Sequence, residues 1–162
     1  MPINPENLAT QKVKKFLYLG NEYPLNIDTA NAKGLRFDGQ TFSLSTGGKQ
    51  EFLAYYKAAF KKIALPRLEY YAKKHHLNYN QVRLKTQKTL WGSCSSANNI
   101  NLNYLLIMAP MSVVDYVIVH ELCHTIHKNH SKDFWHLVGQ ILPNYKASKS
   151  WLKEHGHKLQ NL

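Results

Sequence analysis

Two histidines four residues apart, His120 and His124, with Glu121 between them and His130 six residues further on, constrain the fold of this chain more than any other feature. Residues at i and i+4 lie on one face of a helix, one turn apart, so a helix through this segment aims two imidazole nitrogens at a single point. One divalent cation fits there. Catalytic zinc takes three protein ligands and leaves a fourth position to water, which the metal acidifies towards neutral pH. Glu121 projects from the same turn and is suited to be the general base that accepts the water's proton.

The third ligand must come from outside the pair, and two histidines compete for the position. His127 continues the helical stripe at i+7, whereas His130 reaches the same point only if the helix stops and the chain turns back. Local residues favour a stop: Asn129 suits the left-handed position just past a helix end, and Ser131 followed by Asp133 reads as the start of a new helix. His130 is therefore preferred over His127.

A short motif can arise by accident, and a lone histidine on an apolar helix is usually a packed core residue. The approach to the motif argues against that. Val113, Val114, Tyr116, Val117, Ile118 and Val119 predict a largely buried helix, in which an unpaired Glu121 carboxylate would be costly. A cation beside it accounts for the charge.

At 162 residues the chain is expected to form one compact domain, with residues 1–48 as an N-terminal β-hairpin region and 49–162 as the core. No span reaches transmembrane length, and Met1 to Thr10 has neither the basic start nor the apolar run of a signal peptide, so the expectation is a cytoplasmic protein without a membrane partner. Cys94 and Cys123 are too few for a disulfide framework, which fits reducing surroundings. The formal charge of +11 is spread from Lys12 to Lys158. Its densest group, Lys57, Lys61, Lys62, Arg67, Lys73 and Lys74, falls on a predicted helix and is either a solvated face or a surface for polyanions.

Alternating apolar residues predict strands over Lys12 to Leu19 and Leu35 to Leu44, with turn chemistry at Gly20-Asn21, Asp38-Gly39 and Gly47-Gly48. Helical spacing of Phe52, Tyr56, Phe60, Ile63 and Tyr70 predicts a helix over Lys49 to His76, kinked or split by Pro66. Val82 to Lys85, Thr89 to Cys94 and Ile100 to Asn103 read as strands of a second sheet. Zinc peptidases commonly hold extended substrate along an edge strand, and Ile100 to Asn103 is the candidate, with ordinary pairing as the alternative. The helix carrying His120 is expected from an N-cap at Ser112 to about Lys128, followed by helices over Ser131 to Leu142 and Asn144 to about His155, the last capped by Gly156.

Five separated segments now stand in order: Thr89 to Ser96 with its Trp91-Gly92-Ser93-Cys94 centre, Ile100 to Asn103, Asp115 to His124, Asn129 to Ser131 with Phe134-Trp135, and Trp151-Leu152. Together they resemble the YgjP-like metal-dependent hydrolases, a bacterial group of zinc metallopeptidase type that is similar to the SprT and Wss-type minigluzincin-like proteases. The resemblance extends from about Lys15 to Gly156. It implies an α+β, zincin-like core in which a small antiparallel sheet packs on the kinked helix, the helix carrying His120 and two C-terminal helices. It also implies zinc on His120, His124 and His130, with Glu121 as catalytic base, and so selects His130 over His127. The spacing equals that of metzincins, but His127 replaces their glycine and no methionine follows His130. Leu90 stands where the family usually carries a basic residue, and an Arg-rich N-terminal hairpin common in the family is missing or shortened.

The expected function is zinc-dependent hydrolysis of a peptide or protein by Glu121-activated water. Two alternatives stay open: a nucleoside triphosphate pyrophosphatase, an activity linked to enzymes resembling this one, and a nucleic-acid-associated protease docked weakly through the basic surface. Among other residues, Trp91, Phe134 and Trp135 are read as packing, Asp115 as a first-turn acid complementing the helix dipole, and His127 as a surface histidine near the helix end, with holding an oxyanion at the open metal position as the alternative; the sequence assigns no role to His136. Tyr104 is a weak candidate for a transition-state donor.

Overall fold

The computed structural model describes residues 14–27, 34–45 and 48–160; Lys12 and Val13 of the expected first strand, and Gly47 of an expected turn, lie outside them. β1 (Lys15–Tyr18) and β2 (Asn21–Ile27) form a hairpin. Its two loop residues, Leu19 and Gly20, both have positive φ (49° and 84°), as a tight type I′ turn requires. β2 then leaves β1 at Pro24 and Leu25 and runs parallel to β4 (Phe42–Leu44), which pairs antiparallel with β3 (Leu35–Phe37). The sequence reading places no strand at β2, because Pro24 and the polar Asn21, Glu22 and Asn26 hide its alternation.

α1 (Lys49–His75) starts where the Glu51 carboxylate accepts the Gly48 N–H at 2.6 Å, and it ends at His76, whose φ of 56° is left-handed. The expected split at Pro66 does not occur, and the helix runs unbroken through it. Phe52, Tyr56, Phe60, Ala64, Leu68 and Ala72 are buried at spacings of four, forming the stripe that faces the core, whereas Tyr70 points to solvent. The Tyr56 hydroxyl donates to the Leu17 carbonyl at 2.6 Å and ties this helix to the first sheet.

β5 (Gln81–Lys85), β6 (Gly92–Cys94) and β7 (Asn99–Asn103) make the second sheet, in the order β5-β7-β6. β5 is parallel to β7 and β6 antiparallel to it, so each sheet mixes the two senses where antiparallel pairing was expected. Thr89 to Trp91 lie outside the strand. The Asn103 amide donates to the carbonyls of Gln87 (3.0 Å) and Leu90 (3.1 Å) and holds this stretch as a loop.

A short 3-10 turn (Tyr104–Met108) receives the tip of the first hairpin, whose Leu19 and Gly20 N–H groups donate to Ile107 (2.7 Å) and Met108 (2.9 Å). It leads through Pro110, not Ser112, into α2 (Met111–Cys123). α3 (Lys132–Ile141) follows, with the Ser131 hydroxyl accepting the Phe134 N–H at 3.2 Å as expected of an N-cap. α4 (Tyr145–Leu159) runs past Gly156, which is therefore not a cap. A Cβ at Gly156 would stand 3.2 Å from the Trp91 indole nitrogen, so the residue lets the helix approach that ring. One hydrophobic cluster runs from Phe42 and Leu44 of the first sheet through α1, β7, α2 and α3 to Leu159. The α+β architecture expected from the sequence is the one observed.

Candidate metal centre

α2 is apolar on almost every side and buried accordingly: Val113 to Val119, Glu121, Leu122 and Cys123 are all shielded from solvent. Such a helix fixes its side chains firmly. It ends at Cys123, five residues earlier than the sequence suggests, and His124 caps it with φ still helical at −67°. Tight bonds then reverse the chain: Thr125 N–H and Oγ1 donate to Leu122 O (3.0 and 2.6 Å), and His127 N–H donates to Cys123 O (2.9 Å). Asn129 is not left-handed; among the described residues other than glycine only Leu19, His76 and Asn98 have positive φ. The reversal does what the expected stop was meant to do, and it brings His130 back against the helix.

The Nε2 atoms of His120, His124 and His130 lie 3.2–3.3 Å from one another. Tetrahedral coordination at metal–nitrogen distances of about 2.0–2.1 Å spaces ligand nitrogens about 3.3–3.4 Å apart. The three imidazoles could therefore hold one ion. The His124 Nδ1–H donates to the His127 carbonyl at 2.8 Å, which leaves the Nε2 lone pair facing the centre. His127 thus serves through its backbone, and its side chain is outside the cluster. The Tyr116 hydroxyl, one turn before His120, is 3.4 Å from His120 Nδ1. Sequence reasoning counted Tyr116 only as part of the apolar approach, although its i−4 spacing from His120 was visible.

Phe134, fully buried, stacks on His124 with ring centroids 4.3 Å apart, and Trp135 lies parallel to His130 at 5.8 Å. These two aromatics are packing for the imidazoles, as expected; Trp91 sits instead against Gly156. Burial pushes His120 down to about 3, helped by the charges of His124, His130 and Lys149, and pushes His124 down as well. Neutral rings are the form that binds a metal.

Glu121 is only 5% exposed, its Oε1 is 3.9 Å from His120 Nε2, and its buried Oε2 has no hydrogen-bond partner. Burial pushes this carboxyl up to about 8. Gly92 on β6 makes room for it: a Cβ there would come within 2.8 Å of Glu121 Cγ. An orphaned buried carboxylate oxygen beside converging lone pairs fits a cationic ligand.

Several expectations change. β7 lies in the middle of its sheet, paired on both sides, so Ile100 to Asn103 cannot offer a free edge; β6, beside Glu121, is the edge strand. Asp115 is not a first-turn acid. It forms a two-pronged pair with Arg67 (2.5 and 2.6 Å), tying α2 to α1. That removes Arg67 from the basic group on α1, and Lys73 is likewise paired with Glu69 at 3.3 Å. Tyr104 packs under Lys57 of α1, whose Nζ is 6.0 Å from its ring centroid. His136 is exposed and lines a cleft that opens beside His130.

An α+β fold with three histidines that could hold one metal ion fits a metallopeptidase-type domain. Residues 3–155 match the family model described as YgjP-like, metallopeptidase domain, and the chain belongs to that family of metal-dependent peptidases. Among solved structures it is similar to the metallopeptidase zymogen abylysin of Pyrococcus abyssi, with a TM-score of 0.50 and 23% identity over 59% of this chain and 93% of that one. That likeness is one of fold. No curated protein matches the chain. Among the described residues no helix is long and apolar enough to cross a membrane.

Proposed function

We propose that the chain is a zinc-dependent peptidase in which His120, His124 and His130 hold the ion and Glu121 is the general base. The observation that carries this is the mutual 3.2–3.3 Å spacing of three imidazole nitrogens next to a buried carboxylate oxygen with no partner. Three nitrogen ligands with a fourth position left open are the donor set of catalytic zinc. When bound there, zinc supplies Lewis acidity, which acidifies water and polarises a substrate carbonyl.

The chain's own residues do the rest. Glu121 Oε2 accepts a proton from the attacking water and returns it to the departing amine. Gly92 leaves the carboxylate room to turn, and the His127 carbonyl keeps His124 in the tautomer that presents Nε2. The free edge of β6 offers backbone groups to an extended peptide regardless of its sequence, the role the sequence reading had given to β7. Cys94 and Cys123 are both free thiols, in keeping with a cytoplasmic enzyme.

Metal analysis and proteolysis test the assignment together. Purified protein is expected to carry one zinc per chain and to cleave casein. Glu121→Gln should keep the metal and lose roughly 10²–10⁴-fold in kcat, while alanine at His120, His124 or His130 should lose the metal itself. Full zinc retention by all three histidine variants would overturn the ligand set. Hydrolysis of nucleoside triphosphates in place of casein would move the chemistry to phosphoanhydrides, and salt-sensitive DNA binding would point to the nucleic-acid setting.

A further inference from the structure

A cleft of about 500 Å³ opens beside His130, lined by His130, Lys132, Trp135, His136, Tyr145 and Lys149. One of its walls is a member of the three-histidine cluster, so whatever fills the cleft lies next to the candidate metal centre. Its charge is one-sided. Two lysines and a further histidine line it, no carboxylate does, and among the described residues neither Lys132 nor Lys149 has an acidic partner.

Its floor is flat and rigid. Trp135 lies near-parallel to His130 (5.8 Å, 22°) and to Tyr145 (5.4 Å, 17°), and Lys149 Nζ stands over the Trp135 ring at 4.1 Å from its centroid. Lys132, Trp135 and His136 share one face of α3 at spacings of three and four, and Tyr145 and Lys149 are one turn apart on α4. Two helices therefore fix the aromatic platform and the cations, as a selective pocket requires. Lys128, the other lysine whose charge reaches the histidines, is already occupied: it donates to the Ser95 carbonyl at 2.9 Å and to Asn98.

We propose that this cleft is the specificity pocket of the peptidase and takes a carboxylate of the peptide, next to the bond being cut. The carboxylate of an acidic residue would meet the Lys149 and Lys132 ammoniums beside the Trp135–Tyr145 stack. The same chemistry serves a glutamate or aspartate side chain and a C-terminal carboxylate. The proposal rests on the peptidase function above and names the substrate class of that site.

The test uses zinc-loaded protein and matched peptides that carry Glu or Gln at each position around one cleavable bond, each made with a free or an amidated C-terminus. Cleavage is expected to favour Glu over Gln at one position beside the bond, or the free acid over the amide, by at least tenfold in kcat/KM. Lys149→Glu and Lys132→Glu should each cut that ratio at least tenfold, with zinc content and melting temperature showing that the fold is kept. Calorimetric binding of the uncleaved peptides to Glu121→Gln gives a readout that needs no turnover. If the wild type cleaves nothing yet this variant binds the acidic peptide preferentially, the peptidase assignment fails and the pocket stands. Equal binding of Glu and Gln peptides, a preference that both lysine variants leave intact, or displacement by inorganic triphosphate but not by acidic peptide, each overturns the pocket.

Discussion

Gly92 shows how little room the centre leaves at the level of single residues. Its backbone backs the Glu121 side chain so closely that even one added methyl would stand 2.8 Å from Cγ and 3.1 Å from Oε1. Gly92→Ala is expected to displace the carboxylate, costing about 1–3 kcal/mol of stability and lowering kcat more than KM, as measured by unfolding in denaturant and by peptide hydrolysis. Metal content should be unchanged, because none of the three histidines stands on β6. The convergence of His120 and His124 was readable from the sequence, since helical periodicity alone puts i and i+4 on one face. The fit of Gly92 against Glu121 was not, because the two residues are 29 positions apart and meet only once β6 packs on α2.

Among the elements, the joint between α1 and α2 decides how firmly the centre is held. Arg67 grips Asp115 with two nitrogens, and the two partners are unequally covered: the arginine side chain is 39% exposed and the aspartate 12%. Removing the arginine strands a covered carboxylate, while removing the aspartate leaves a cation that can reach water. Arg67→Ala should therefore destabilise more than Asp115→Ala, by about 1–3 kcal/mol after allowing for solvent screening, and Arg67→Lys should recover only part because an ammonium cannot bridge both oxygens. Equilibrium unfolding of the three variants checks the order. Helices α1 and α3 were legible from their stripes and caps, whereas the end of α2 was misplaced because the residues after Cys123 keep a helical pattern while their backbone bonds close tight turns. Gly156 misled for a related reason. A glycine late in a helix reads locally as a cap, and only the Trp91 ring behind it reveals a close approach.

For the molecule as a whole, the continuous cluster from Phe42 to Leu159 means that the N-terminal sheet and the helical core share their hydrophobic stabilisation. We expect one cooperative unfolding transition followed alike by calorimetry and circular dichroism. Chelation of the metal should lower its midpoint without splitting it. A ligand at a hundred times its dissociation constant contributes about 2.7 kcal/mol, which for a chain of this size is on the order of 5–10 °C. Two separate transitions would show that residues before α1 fold independently. The ring of Trp135 lying flat on His130 has a practical consequence. Of the tryptophans in the described chain it is the one in ring contact with the triad, so its ultraviolet emission should change when that imidazole gains a proton or a cation. The chain is then expected to carry its own optical gauge of an occupied centre, readable in the unlabelled molecule.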